Sequence, residues 1–316
     1  MRPSSAFVPP PGYRARPAAP ADADAIHHLV AACERTAHGG SPAAPDGVAA
    51  RLALPGVDPA TDTVLVHGPD GAPAAWVWVR GRRCAIDVHP DHRGRGLGGA
   101  LLAWAEARAR RAGDDRLAQT VADGDPAAGA LLRSAGYAPL ATEWLLEIAL
   151  PVPGGVPRPP EGVTVRPFSA GDERAAHRLT EDAFDEWQQR RKPYAEWAKH
   201  CVERPSFTPS ASPLAFDGGR LVGVLLSLDD PGSGEGYVER LAVRRDQRGR
   251  GLARLLLMTA FHAFALRGRR ACTLGTHTDT GALSLYEHLG MTVRHSATVY
   301  GRPLVERPDP AQATRA

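Results

Sequence analysis

The sequence predicts an α+β fold built twice in tandem. Each copy is expected to be a mostly antiparallel mixed sheet flanked by helices, with a strand–glycine loop–helix unit at its centre. Three observations predict it. DHRGRGLGGALL at Asp91–Leu102 returns as DQRGRGLARLLL at Asp246–Leu257. Arg93 and Arg248 lie 155 residues apart, Gly96 and Gly251 keep that offset, and so long a period describes a whole domain. Between the copies, PVPGGVPRPPEG (Pro151–Gly162) is dense in Pro and Gly and has no apolar period, which reads as a stiff, extended linker. The expected division is 1–150, 151–162 and 163–316.

The elements follow the same order in each half. YRARPAAPADADAIHHL resembles VTVRPFSAGDERAAHRL, with Arg16-Pro17 answering Arg166-Pro167. In the second half Val163–Phe168 alternates as a strand, and a helical region begins at Asp172. PLAFDGGRLVGVLLSL forms two strands around Asp217-Gly218-Gly219, a hairpin turn signal. Tyr237–Val243 is a strand, Leu252–Leu266 a long apolar helix, Ala271–Thr276 a strand and Gly281–His288 a short helix, before the strand-like TVRHSATVY. The first half repeats this with VLVHGPDGAPAAWVWVR as hairpin, CAIDV as strand and Leu97–Arg110 as helix.

Composition narrows the class. A chain of 316 residues, 43% hydrophobic and 23% charged, can bury two cores. A formal net charge of +3, with basic residues scattered, argues against nucleic acid. Cys33, Cys84, Cys201 and Cys272 form no CxxC, so neither a disulfide framework nor a zinc site is expected. Adjacent His27 and His28 do not project together from a helix, and no metal is expected. The N-terminus has no apolar signal core and no run nears the ~20 apolar residues of a membrane span, so a soluble cytoplasmic protein is expected.

The glycine loops carry the chemistry. A strand running into RGRGL and then a helix gathers backbone N–H groups at one point. Glycine permits left-handed dihedrals there, and the helix dipole adds roughly half a positive charge, so the place suits a diphosphate. Arg248 and Arg250 are expected to add charge-assisted contacts. Gly94, Gly96, Gly98 and Gly99 miss the spacing of the dinucleotide fingerprint, and a Walker loop is absent.

Both loops match the [R/Q]xxGx[G/A] signature, as Arg93-Gly94-Arg95-Gly96-Leu97-Gly98 and as Arg248-Gly249-Arg250-Gly251-Leu252-Ala253. The chain therefore resembles the GNAT superfamily of acyl-CoA-dependent N-acyltransferases. ALSLYEHLGM (Ala282–Met291) is similar to that superfamily's late block, in which a tyrosine sits near the coenzyme sulfur. The resemblance implies acetyl-CoA as acyl donor. It implies contacts from Leu241, Ala242 and Val243 to the pantetheine arm, from Arg248 through Arg254 to the phosphates, and from Thr278, where many relatives have asparagine. Ile86, Asp87 and Val88, with Arg93 through Gly98, are the counterparts in the first half.

The halves are unequal. Aligning Gly136 with Gly290 sets Leu132 opposite Tyr286, and leucine cannot protonate a thiolate, so the first copy is expected to be degenerate. Tyr286 is the expected acid. Glu239 is the candidate base, placed by strand alternation on one face with Leu241 and Val243, and His277 competes for that role. Trp187, Tyr194 and Trp197, with Glu181, Asp182, Asp185 and Glu186, form either an acceptor pocket or an amphipathic core stripe with an acidic face. The tandem layout resembles that of mycothiol synthase, except that Tyr237 stands at the place of an acidic strand residue in that enzyme. The implied reaction is direct, ternary-complex acetyl transfer to a primary amine of a small molecule. Protein N-acetylation and a non-catalytic acyl-CoA-binding module are the alternatives, and monomer and homodimer stay open.

Overall fold

The computed structural model describes residues 7–39, 47–54, 56–185, 191–230 and 233–304. In chain order the first elements are β1 (Arg14–Arg16), α1 (Ala23–His38), α2 (Gly47–Leu52), α3 (Pro59–Asp62), β2 (Thr63–His67), β3 (Pro73–Arg80) and β4 (Arg83–Val88). Then come α4 (Leu97–Arg111), β5 (Arg116–Ala122), α5 (Pro126–Ser134) and β6 (Ala138–Ala149). The second series is β7 (Val163–Pro167), α6 (Glu173–Phe184), α7 (Tyr194–Cys201), β8 (Pro213–Asp217), β9 (Arg220–Asp230) and β10 (Glu235–Val243). It ends with α8 (Leu252–Leu266), β11 (Ala271–His277), α9 (Leu283–His288) and β12 (Thr292–Pro303). The α+β class is as expected, and α8 has the bounds read from the sequence. Among the described residues no helix is long and apolar enough to cross a membrane.

The chain folds into two compact units whose membership is crossed. One contains residues up to Thr142 together with His295 onward; the other is Glu143–Arg294. In the first unit the sheet runs β1-β2-β3-β4-β5, and β5 then pairs with Ala297–Pro303 of β12. In the second the order is β7-β8-β9-β10-β11, and β11 pairs with Glu143–Ala149 of β6. Each unit is thus completed by a strand that the repeat assigned to the other half. The stretch 151–162 contains no helix or strand, yet it lies within the second unit, where Val152 packs on the core. These limits differ from the division at 150 and 163.

Among the described residues, each unit has one parallel ladder and its other ladders are antiparallel. In the first unit β4 and β5 are parallel and meet at Arg83↔Ala118. In the second, β10 and β11 pair in parallel from Glu235↔Ala271 to Val238↔Leu274 and then part. Beyond that point β10 continues with β9 to Val243, while β11 continues with β6 to His277. A wedge opens between them.

Helices cover both faces of each sheet. In the second unit α8 lays Leu255, Leu256, Phe261 and Phe264 against Leu225 and Val238. On the opposite face Leu179 of α6 and Trp197 of α7 pack with Val224, Leu226 and Ala242. Gly236 permits the α8 contact, since a Cβ there would stand 2.6 Å from the Phe264 ring. In the first unit α4 packs on Val64, Val66 and Val77, whereas α1 meets Leu65 and Trp76, as strand alternation requires.

The Arg-Pro resemblance acquires a structural meaning. Arg166 donates to both carboxylate oxygens of Asp172 at 2.7 and 2.8 Å and to Pro167 O at 3.0 Å. Arg16 does the same to Asp22 at 2.6 and 2.7 Å and to Pro17 O at 3.0 Å. Each aspartate also accepts a backbone N–H three residues upstream, from Ser169 at 2.8 Å or Ala19 at 2.7 Å. The pair ties the end of the first strand of each unit to the start of its first long helix.

Candidate active site

The wedge between β10 and β11 holds a cavity of about 520 Å³. Its floor is β10 from Val238 to Val243, one wall is Leu274–His277, and the loop of Gln247, Arg248, Gly249 and Gly251 closes an end with Leu252, Ala253 and Arg254 of α8. Gly249 and Gly251 have φ of +78° and +77°, the left-handed conformation that glycine adopts without strain. A Cβ at either would meet nothing within 4 Å, so no other part of the chain packs on that side of the two glycines. That concavity at the start of a fifteen-residue helix fits the expected phosphate cradle.

Tyr286 reaches this cavity from α9. The residue is 8% exposed, and burial pushes its hydroxyl up to about 12. Among the described residues no side chain is hydrogen-bonded to that hydroxyl, which leaves its proton available to a ligand. Ala282 and Leu285 line the wall beside it, and Thr280 replaces the expected Thr278 in the lining. Thr280 Oγ1 is fixed by Thr276 Oγ1 and by His277 O, both at 2.8 Å. His277 also lines the cavity, with Nδ1 3.7 Å from Asp279.

Glu239 faces the cavity by a route the sequence did not display. The β9–β10 register slips between Val238 and Arg240, so Glu239 is the extra residue of a β-bulge. Strand alternation therefore fails at this point. Leu241 and Val243 pack with Val238 on the α8 core, while Arg240 lies over the Phe184 ring of α6, 5.7 Å from its centroid. Glu239 does not share a face with Leu241 and Val243. It turns instead with Arg240, whose Nη2 is 3.8 Å from its Oε1, and Arg204 approaches its Oε2 at 4.0 Å. Tyr237 lies on the same strand, its hydroxyl pushed up by burial and then by the charge of Glu239.

Of the residues expected to hold coenzyme in this unit, Leu241, Ala242, Val243, Arg248, Gly249, Gly251, Leu252, Ala253 and Arg254 line the cavity. Arg250 does not. Its guanidinium is drawn to Asp217 at 2.7 Å, and it also contacts Gln247. The aromatic acceptor pocket is not assembled either. Trp197 is 1% exposed within the core, Tyr194 packs beside it, and Glu181 accepts Lys192 N at 2.7 Å. Asp182 and Asp185 both bind Arg191, at 2.8 and 3.0 Å. Glu186 and Trp187 lie outside the described residues. Ala183 and Phe184, at the end of α6, form that wall instead.

The first unit has a cavity of about 380 Å³ at the matching place. Ile86, Asp87, Val88, Arg93, Gly94, Gly96, Leu97 and Gly98 line it, with Gly94 and Gly96 at φ of +72° and +82°. Arg95 does not line it, and lies 3.4 Å from the Tyr13 hydroxyl. Leu132 lines the wall and is 2% exposed, packed with Leu102, Val121, Tyr137 and Tyr300. Asp87 accepts Trp76 Nε1 at 2.9 Å, and burial raises its carboxyl. The Cys33 thiol, pushed up to about 12 by burial, donates to Val88 O at 3.2 Å.

Comparison with known proteins agrees with this architecture. The family model described as "Acetyltransferase (GNAT) family" matches residues 58–137 and 173–291, one segment in each repeat. A mycothiol acetyltransferase of Nocardioides is 31% identical over 263 residues, spanning 75% of this chain and 87% of the relative. One of Gordonia bronchialis is 35% identical over 229 residues, spanning 68% and 72%. The crystal structure of a GCN5-related N-acetyltransferase from Sphaerobacter thermophilus superposes with a TM-score of 0.80 at 30% identity, covering 96% of this chain and 99% of that one. A tandem GNAT protein from the clavulanic acid biosynthesis pathway shares the fold, with a TM-score of 0.71 at 21% identity over 94% and 100% of the two chains. Two signature loops, each between a strand and a helix, and a family match in both repeats lead to one conclusion: the chain belongs to the GNAT family of acetyltransferases.

Proposed function

We propose that the second unit transfers the acetyl group of acetyl-CoA directly to a primary amine of a small molecule. One observation carries the reading: the glycine cradle, the parted edge of β10 and Tyr286 line a single cavity. The relatives named mycothiol acetyltransferase support a small-molecule acceptor. Tyr237, at the position of an acidic residue in mycothiol synthase, argues for a different one.

Acetyl-CoA supplies an activated thioester. Backbone amides of Gly249–Ala253 hold its phosphates, with Arg248 and Arg254 adding charge. Past Val238, the β11-facing edge of β10 has lost its strand partner, so Leu241–Val243 offer backbone groups to the amides of the pantetheine arm. The bulge at Glu239 leaves ladder groups unpaired beside the reacting carbonyl, where an N–H stabilises developing negative charge. Glu239 attracts the acceptor ammonium and accepts its proton, directly or through water. The amine nitrogen then bonds to the carbonyl carbon as the carbon–sulfur bond breaks. Tyr286 gives its proton to the departing sulfur, and the surplus proton of the new amide nitrogen passes through solvent to the tyrosinate. Leu132 leaves the first unit without such a donor.

The test is an amine library incubated with acetyl-CoA and followed by thiol release. Acetylation of a set of primary amines supports the reading. No acetylated member, together with stabilisation of the protein by acetyl-CoA, would replace it with a binding module.

A further inference from the structure

The geometry points to an acceptor that carries a carboxylate beside its amine, an amino acid in its zwitterionic form, with Arg240 as the residue that selects it. This inference rests on the proposed transfer in the second unit and names its substrate class. Arg240 lines the reaction cavity with a side chain only 26% exposed. A guanidinium has five donors, and one so enclosed ordinarily meets an acceptor. Here Glu239 Oε1 is the nearest carboxylate oxygen among the described residues, at 3.8 Å, beyond hydrogen-bond reach. Beside it the buried Cys201 thiol shares a side-chain hydrogen bond with Arg240, and one thiol leaves the five donors incompletely paired at a residue that lines the cavity.

The bulge is what creates this arrangement. Consecutive strand residues normally point to opposite faces, so a neighbouring carboxylate and guanidinium would be separated by the sheet. The slip between Val238 and Arg240 turns Glu239 and Arg240 to the same side. Negative and positive groups then stand next to each other at the point where the acceptor must enter. In an amino acid the nitrogen and the carboxylate carbon are about 2.5 Å apart, two bonds through Cα. A ligand of that shape sets its ammonium on Glu239 and its carboxylate on the planar fork of Arg240, which accepts two oxygens side by side. Ala183 and Leu285 are left for its side chain.

The repeat supplies an internal control. At the 155-residue offset, Cys84 and Ala85 stand where Glu239 and Arg240 do. The β3–β4 ladder runs through them without a slip, as Val79↔Cys84 and Trp78↔Ala85. Bulge, carboxylate and guanidinium occur together, and only in the unit that has Tyr286. A merely structural ion pair has no need of that combination.

The experiment compares free amino acids with their carboxamides and decarboxylated amines as acceptors for the native protein, by thiol release. The acids are expected to exceed the matched amides by about ten- to a hundredfold in kcat/KM. Arg240→Gln should level the two series, and Arg240→Lys, which keeps the charge without the fork, should restore part of the preference. Native protein that acetylates amides or decarboxylated amines as well as the acids overturns the inference and leaves the proposed function standing. Failure to acetylate any amine, with acetyl-CoA still bound, overturns both.

Discussion

Arg93 and Asp125 meet at 2.8 Å across the mouth of the first cavity, joining the glycine loop to the N-cap of α5. The contact belongs to a cavity of reversed charge. One arginine, Arg93, lines it against Asp87 and Asp125. In the second cavity Arg240, Arg248 and Arg254 stand against Glu239 alone. The position of Arg254 is Gly99 in the first repeat, so the helix start there has lost a cation. Coenzyme phosphates entering either cradle would meet similar backbone but a different field.

Calorimetry with acetyl-CoA should therefore resolve two unequal sites per chain. The first-unit site is expected to be weaker by roughly tenfold or more, because its lining repels the anion that its loop attracts. Two sites of equal affinity would contradict the electrostatic argument.

The glycines permit a paired measurement. At Gly251 the strain of a substitution is purely backbone, since a Cβ would meet nothing within 4 Å. Gly251→Ala should cost about 1–2 kcal/mol and shift the amides of the cradle, lowering the melting temperature and raising the KM for acetyl-CoA. Gly96, with φ of +82° and equally open space, should show the stability loss without the rise in KM. A rise in KM from Gly96→Ala would assign turnover to the first unit.

The elements that were legible in the sequence are those whose cause is local. Gly94, Gly96, Gly249 and Gly251 announce left-handed turns, and the apolar run Leu252–Leu266 announces its helix. What escaped is non-local. β6 and β12 have ordinary strand patterns, and nothing within either says that Ala271 pairs with Ala149, or Arg116 with Pro303. The bulge at Glu239 exists only in the register with β9, so alternation read along β10 alone misplaces the side chain. Arg250 reads as a phosphate ligand until Asp217, on a hairpin 33 residues away, claims it. Phe184 carried no signal, because the nearby tryptophans were more conspicuous acceptor candidates.

The twin Arg–Asp pairs predict an acid limb of stability. Hydrogen bonds from Arg16 and Arg166 hold the Asp22 and Asp172 carboxyls below the usual value of 3.8. A depressed folded-state value means that the contribution is present above 3.8 and lost as pH falls through the lower folded values. Scanning calorimetry should find a melting temperature that drops below about pH 4. Asp22→Asn with Asp172→Asn should lower the melting temperature at pH 7 and flatten that drop. An unchanged acid limb in the double variant would remove these pairs as its source.

Tyr286→Phe separates chemistry from binding. Phenylalanine keeps the packing of α9 on the core and removes only the proton, so kcat should fall by about 10²–10⁴ with coenzyme affinity near native. Burial pushes the hydroxyl up to about 12, hence it is expected to stay protonated through neutral and moderately alkaline pH and to impose no alkaline decline on turnover there. The sign for stability is the opposite of the aspartates. A value raised above the unfolded one of 10.0 contributes stability that is complete below pH 10 and is lost as pH rises through 12. The phenylalanine variant should therefore lose turnover at neutral pH and shed this alkaline loss of stability, and the two effects have a single origin. Turnover at the native rate in this variant would mean that the sulfur takes its proton from solvent, and Leu132 would then no longer explain why the first unit should be silent.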